Sequence, residues 1–184
     1  MYKITKEFNL SYGHRVHTQK LDPEYTIDSK CACRFLHGHN SIIIIELQAD
    51  QLNEQGMVLD FKYLNWAKQW IDNVLDHKFI MDINDPVRET LFPLTKSSPT
   101  NPFDTIFNYH KENYWTLDLL NKSSLSLPEQ EIYEGLVFVQ FVPTSENLSK
   151  WIFDIVQEKM KPLDVIVSSV KFYETPKSSS LYSV

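Results

Sequence analysis

Residues 30–46 read KCACRFLHGHNSIIIIE, from Lys30 to Glu46, and this stretch decides the fold. The four isoleucines Ile42 to Ile45 are β-branched and predict a strand, which the surrounding pattern extends from about His39 to Ala49. His37 and His39 stand two apart, so on an extended backbone both imidazoles project from one face. Gly38 between them carries no side chain and lets a ligand or another backbone come close. Two nitrogen ligands can be placed on one metal ion this way. Cys33 lies four residues before His37, within reach of a short loop that returns its sulfur to the same place.

Upstream, Tyr2, Ile4, Phe8 and Leu10 alternate with polar residues and predict a half-buried strand, interrupted only by Lys6 and ending near Tyr12-Gly13-His14-Arg15. The polar residues from Thr18 to Lys30 predict a loop. Two strands joined in this way are most simply antiparallel neighbours, which sets His14 beside His37 and His39. His17 competes with His14 as a third ligand; His14 is favoured because it sits where the strand meets the loop.

Downstream, Phe61, Leu64, Ala67, Ile71 and Val74-Leu75 recur at helical spacing behind Asp60, a capping residue, and lead into Asp76-His77. Leu136 to Val142 predicts a strand. Thr144 then caps a helix whose apolar stripe is Leu148, Trp151, Ile152, Ile155 and Val156, and Val165 to Tyr173 predicts a last strand. From Asp82 to Glu134 the pattern dissolves among Pro86, Pro93, Pro99, Pro102 and Pro128, with room for one short helix near Tyr109 to Leu120. A segment this long is a lid, an interface or a disordered excursion. The expectation is one α+β domain over residues 1–184, ordered ββαβαβ, with an irregular insertion at about 82–134. Its four-stranded antiparallel sheet carries two helices on one face.

Composition narrows the function. A net charge of −6 argues against a nucleic-acid binder, which normally shows a basic face. The longest aliphatic run is four residues, far short of a membrane span. The first fourteen residues lack the apolar block of a signal peptide, so a cytoplasmic protein is expected. Two cysteines, Cys31 and Cys33, are too few for a disulfide framework or a zinc knuckle, which leaves a catalytic thiol or a small buried side chain.

Three histidines with no fourth protein ligand leave zinc an open position, as in catalytic sites. Cys33 near such a site, beside Arg34, is a plausible general base. Asp76 can orient or charge His77 as a proton donor, although a histidine complementing a helix C-terminus is the simpler account of that dipeptide. Glu174 can accept paired hydrogen bonds from a guanidine-like edge such as that of a pterin. Thr144 and Ser145 are helix-cap residues first and ligand contacts second.

Six stretches together resemble the pterin synthase family that includes 6-pyruvoyltetrahydropterin synthase and 6-carboxytetrahydropterin synthase. They are His14-Arg15-Val16, Cys33 to His39, Gly56 to Phe61, Leu75-Asp76-His77-Lys78, Pro143 to Asn147 and Tyr173-Glu174-Thr175. The resemblance implies a tunnelling fold whose sheets close into a barrel in a homo-oligomer, usually a hexamer, with active sites at the interfaces. It further implies Zn2+ on His14, His37 and His39, Cys33 as base, His77 with Asp76 as partner acid/base, and Glu174 as pterin anchor. The implied substrate is 7,8-dihydroneopterin triphosphate. Cys33 forms C-x3-H-G-H, which resembles the carboxytetrahydropterin branch of the queuosine route; Cys31 forms C-x5-H-G-H, which resembles the pyruvoyl branch. Cys33 followed by Arg34-Phe35-Leu36 favours the former. Arg15, Lys20, Lys30 and Arg34 are candidates for the triphosphate. Two other readings stay open: a zinc- and pterin-binding relative without turnover, and a zinc hydrolase with Glu46 as its base.

Overall fold

The computed structural model describes residues 1–28, 30–95, 106–120 and 122–184. The strands and helices are β1 (Tyr2–His14), β2 (His37–Ala49), α1 (Asn65–Trp70), β3 (Lys78–Asp82), α2 (Arg88–Leu91), β4 (Phe107–His110) and β5 (Tyr114–Leu117). They continue as α3 (Leu127–Glu134), β6 (Leu136–Val139), α4 (Ser145–Met160), β7 (Ile166–Thr175) and β8 (Ser178–Ser183). The class is α+β, as expected. The sheet corrects the expectation of four antiparallel strands: among the described residues it has eight, hydrogen-bonded in the order β4-β5-β6-β3-β1-β2-β7-β8, and β3 runs parallel to β6.

The chain divides into two compact units. The first comprises residues 1–12, 39–76 and 144–184. Here the period-two pattern works as expected: Phe8, Leu10 and Tyr12 of β1 and Ile43, Ile45 and Leu47 of β2 are buried while their neighbours face outward. Full burial of each such side chain contributes about 2 kcal/mol. Lys6 breaks the apolar face because its ammonium reaches past it to the Phe61 carbonyl and the Asn65 side chain, both at 2.9 Å. Asp60 caps its helix as predicted, accepting from the Lys62 N–H at 2.8 Å, although Phe61 itself is exposed. The helix opens as a 3-10 turn (Phe61–Leu64) and closes as a π turn (Ile71–Leu75), where the Asp76 N–H reaches back to the Ile71 carbonyl. All five residues of the predicted stripe on α4 are buried. Strand β7 pairs antiparallel with β2, from Ile42↔Tyr173 to Gln48↔Ile166, and with β8. β8 went unpredicted because SSSLYS carries little apolar alternation to read.

The second unit comprises residues 13–38 and 77–143. β3 pairs with β6, β6 with β5, and β5 with β4, so the third predicted strand, shortened to Leu136–Val139, belongs here rather than beside β1 and β2. Much of the segment expected to be irregular is ordered. In place of a helix near Tyr109 to Leu120 there is a hairpin, Phe107↔Leu117 to His110↔Tyr114. Asn113 takes the left-handed conformation its turn requires (φ 64°), and cross-strand aromatic pairs Tyr109–Trp115 and His110–Tyr114 favour the extended form. Met81, Phe107, Leu117, Tyr133, Leu136 and Phe138 form this unit's core. The prolines at 99 and 102 lie outside the described residues. Among those residues, no helix is long and apolar enough to cross a membrane.

Candidate metal centre

β1 ends at His14 and β2 begins at His37, and the side chains of His14, His37 and His39 form a group able to hold a metal ion. One ligand atom from each lies within 4.8 Å of the others. His14 is fully buried, and its ring centroid stands 4.5 Å from that of His37. Nδ1 of His14 lies 2.6 Å from the Pro143 carbonyl and Nδ1 of His37 lies 2.8 Å from the Phe35 carbonyl. A carbonyl oxygen only accepts, so each Nδ1 carries a proton and donates it, which leaves Nε2 as the nitrogen able to face a metal. Metal-ligating histidines are oriented in the same manner. A donor set of three imidazoles, two of them oriented through Nδ1, fits zinc.

Gly13 explains how β1 delivers His14. A Cβ at this position would lie 2.6 Å from Cδ2 of Phe79, closer than packed atoms approach, and 3.4 Å from the His37 carbonyl oxygen. Gly13→Ala is expected to cost about 1–3 kcal/mol through overpacking. A lowered unfolding midpoint with a weaker zinc affinity in metal titration is the predicted result; unchanged values would show that the Phe79 ring yields freely.

His17, the competing ligand, is turned elsewhere: its Nε2 contacts the Asp82 carboxylate at 3.1 Å. Arg15, one of four candidates for an anion, is occupied by Asp85 at 2.9 Å, both side chains nearly buried. Arg34 donates to the Gln19 carbonyl at 3.1 Å, while Lys20 and Lys30 are exposed. Cys31 and Cys33 are both free thiols and half-buried. Cys33 belongs to a 3-10 turn (Ala32–Arg34); its carbonyl accepts from the Val16 N–H at 2.7 Å and its N–H donates to the Gln19 side chain at 3.0 Å.

Asp76 is half-buried and accepts from the Ser11 N–H at 2.8 Å. His77 is exposed and has a φ of 58°, a left-handed conformation rare for a residue with a Cβ and concentrated at functional positions. Glu174 lies at the end of β7, with Oε1 3.8 Å from Nε2 of His39. Thr144 caps α4 by accepting from the Asn147 N–H at 3.3 Å, and the Ser145 carbonyl accepts from the Ser180 hydroxyl at 2.7 Å. Glu46 is seven residues beyond His39 on β2, roughly 23 Å along an extended strand. Hydrogen bonds from Lys3 (2.8 Å) and Ser168 (2.6 Å) also hold its pKa low, which makes it a poor base. The hydrolase reading therefore loses Glu46, the base it had named.

Sequence reasoning missed Tyr12 and Ser41. The Tyr12 ring packs 5.9 Å from His39, and burial, followed by the charge of Glu174, raises its phenol pKa. The Ser41 hydroxyl donates to the Glu174 carbonyl at 3.3 Å. Period-two spacing could have found both, since Tyr12 shares a strand face with His14 and Ser41 with His39.

A solved structure of an uncharacterized protein from Wolinella succinogenes is 42% identical, with a TM-score of 0.90 over 99% of this chain and 97% of that one. The 6-pyruvoyl tetrahydropterin synthase of Caenorhabditis elegans is 20% identical, with a TM-score of 0.55 over 100% of this chain and 95% of that one; it supports the fold. The 6-carboxy-5,6,7,8-tetrahydropterin synthase of Aquifex aeolicus is 27% identical over 190 residues, 98% of this chain and 97% of that protein. The family model described as 6-pyruvoyl tetrahydropterin synthase matches residues 3–183, nearly the whole chain. The protein belongs to the 6-pyruvoyl tetrahydropterin synthase family.

Proposed function

We propose that this protein is a zinc-dependent 6-carboxy-5,6,7,8-tetrahydropterin synthase that acts on 7,8-dihydroneopterin triphosphate in the queuosine route. The observation that carries the reading is the group of three imidazoles, two of them oriented through Nδ1 by backbone carbonyls. The name of the Aquifex aeolicus relative, aligned over almost all of both chains, supports the choice of product.

His14, His37 and His39 hold the metal. Bound there, zinc supplies Lewis acidity to the hydroxyls of the substrate side chain and a template for their orientation. Cys33 withdraws a proton from that side chain as general base, and His77, with Asp76 as its partner, returns one. Glu174 accepts paired hydrogen bonds from the 2-amino group and ring N–H of the pterin, while Thr144 and Ser145 contact the substrate from the start of α4. With the consumption of one water molecule, the side chain is cleaved to leave 6-carboxytetrahydropterin, with release of acetaldehyde and triphosphate. The chain acts as one pterin-synthase-like domain in a cytoplasmic homo-oligomer, a hexamer with its sites at subunit interfaces.

A 6-pyruvoyltetrahydropterin synthase, eliminating triphosphate, is the second reading, favoured by the equally half-buried Cys31. Zinc-loaded protein incubated with 7,8-dihydroneopterin triphosphate, with products identified by mass, separates the cases. 6-Carboxytetrahydropterin together with acetaldehyde is the expected outcome. 6-Pyruvoyltetrahydropterin would move the protein to the other branch, and binding without conversion would make it a non-catalytic relative.

A further inference from the structure

Cys33 sits on a single 3-10 turn that contains no buried residue to anchor it. Its position is set instead by residues 16–19. Val16 donates its N–H to the Cys33 carbonyl at 2.7 Å, and the Gln19 side-chain oxygen accepts from the Cys33 N–H at 3.0 Å. The Gln19 carbonyl takes the Arg34 guanidinium at 3.1 Å, and the Gln19 N–H closes the turn on the Val16 carbonyl at 3.0 Å. Both backbone groups of Cys33 are therefore clamped by one short piece of chain.

That piece is in turn tied to the residues that follow β3. Arg15 Nε meets Asp85 Oδ2 at 2.9 Å, with side chains 12% and 1% exposed, and His17 Nε2 meets Asp82 Oδ2 at 3.1 Å, 13% and 5% exposed. Both carboxylates are set in advance by their own backbone. Asp82 Oδ1 accepts from the Asn84 N–H at 2.9 Å, Asp85 Oδ1 from the Val87 N–H at 3.0 Å, and the Asp85 N–H donates to the Asp82 carbonyl. Exposed ion pairs slide and are worth little, whereas breaking a buried one leaves an uncompensated charge. The His17–Asp82 hydrogen bond and the buried Arg15–Asp85 ion pair, whose facing atoms make no hydrogen bond, tie the two pieces of chain together.

We propose that Asp82 and Asp85, acting through His17, Arg15 and the turn at residues 16–19, are positioning residues for the Cys33 thiol. The inference rests on Cys33 as the base in the reading above. It gives the start of the long segment after β3 a task at the site, where a lid, an interface or a disordered excursion had been the expectation. A base must stand within hydrogen-bond reach of its proton, and a misplacement of about 1 Å costs on the order of a hundredfold in rate.

The test uses the zinc-loaded full chain carrying Asp82→Ala, Asp82→Asn or Gln19→Met. It adds the rate at which iodoacetamide alkylates Cys33 in a Cys31→Ser background. Asp82→Ala and Gln19→Met are expected to lower kcat about 10–100-fold while KM stays within about threefold and bound zinc is unchanged. Alkylation of the released thiol rises at least about threefold. Asp82→Asn, which keeps a hydrogen-bonding partner for His17, recovers most of both. Gln19→Met disturbs no buried charge, so it remains informative even where Asp82→Ala fails to fold; unchanged kcat and alkylation in that variant would overturn the proposal. Retained turnover in Cys33→Ala would remove the base reading separately, while the alkylation rates still report whether the turn positions the thiol.

Discussion

His14→Ala will purify with less than about a tenth of the zinc bound by the parent chain, and its turnover will fall roughly a thousandfold, as expected when several kcal/mol of charge stabilisation are lost. His14 is the ligand with the fewest alternatives. It is fully buried, its ring is held by the Pro143 carbonyl, and it stands against His37. His17→Ala is expected to keep its zinc, because that ring is turned toward Asp82. Metal analysis of the two purified variants decides the matter. Full zinc in His14→Ala, or loss of zinc in His17→Ala alone, would assign the third ligand to the wrong histidine.

The second large effect is expected at Cys33. Cys33→Ala will hold zinc at the parent level yet lose about 10²–10⁴ in kcat, the range for removal of a positioned general base. Cys31→Ala will stay within about threefold of the parent, since its thiol lies two residues away at the start of the same turn. Steady-state kinetics with 7,8-dihydroneopterin triphosphate measure both. The reverse ranking would transfer the base to Cys31 and, with it, favour the pyruvoyl product.

The local elements were largely legible. Alternation placed β1 and β2, helical spacing placed the buried stripe of α4, and capping side chains at Asp60 and Thr144 marked two helix starts. These signals are local because burial of one face imposes its period on the residues themselves. The hairpin β4–β5 was misread because its evidence is pairwise: Tyr109 with Trp115 and His110 with Tyr114 gain only when the two strands lie side by side.

By itself the sequence determined which histidines are spaced to share a strand face and that the class is α+β. Only the tertiary structure decided that the sheet has eight strands among the described residues, that β3 runs parallel to β6, and that His17 belongs to Asp82 and Arg15 to Asp85. The same holds for the orientation of His14 by a carbonyl 129 residues further along. The reason is one of range. Periodicity and capping are written within a few neighbouring residues, whereas a strand's partner, an ion pair and a ring's tautomer depend on groups that only the folded chain brings within bonding distance.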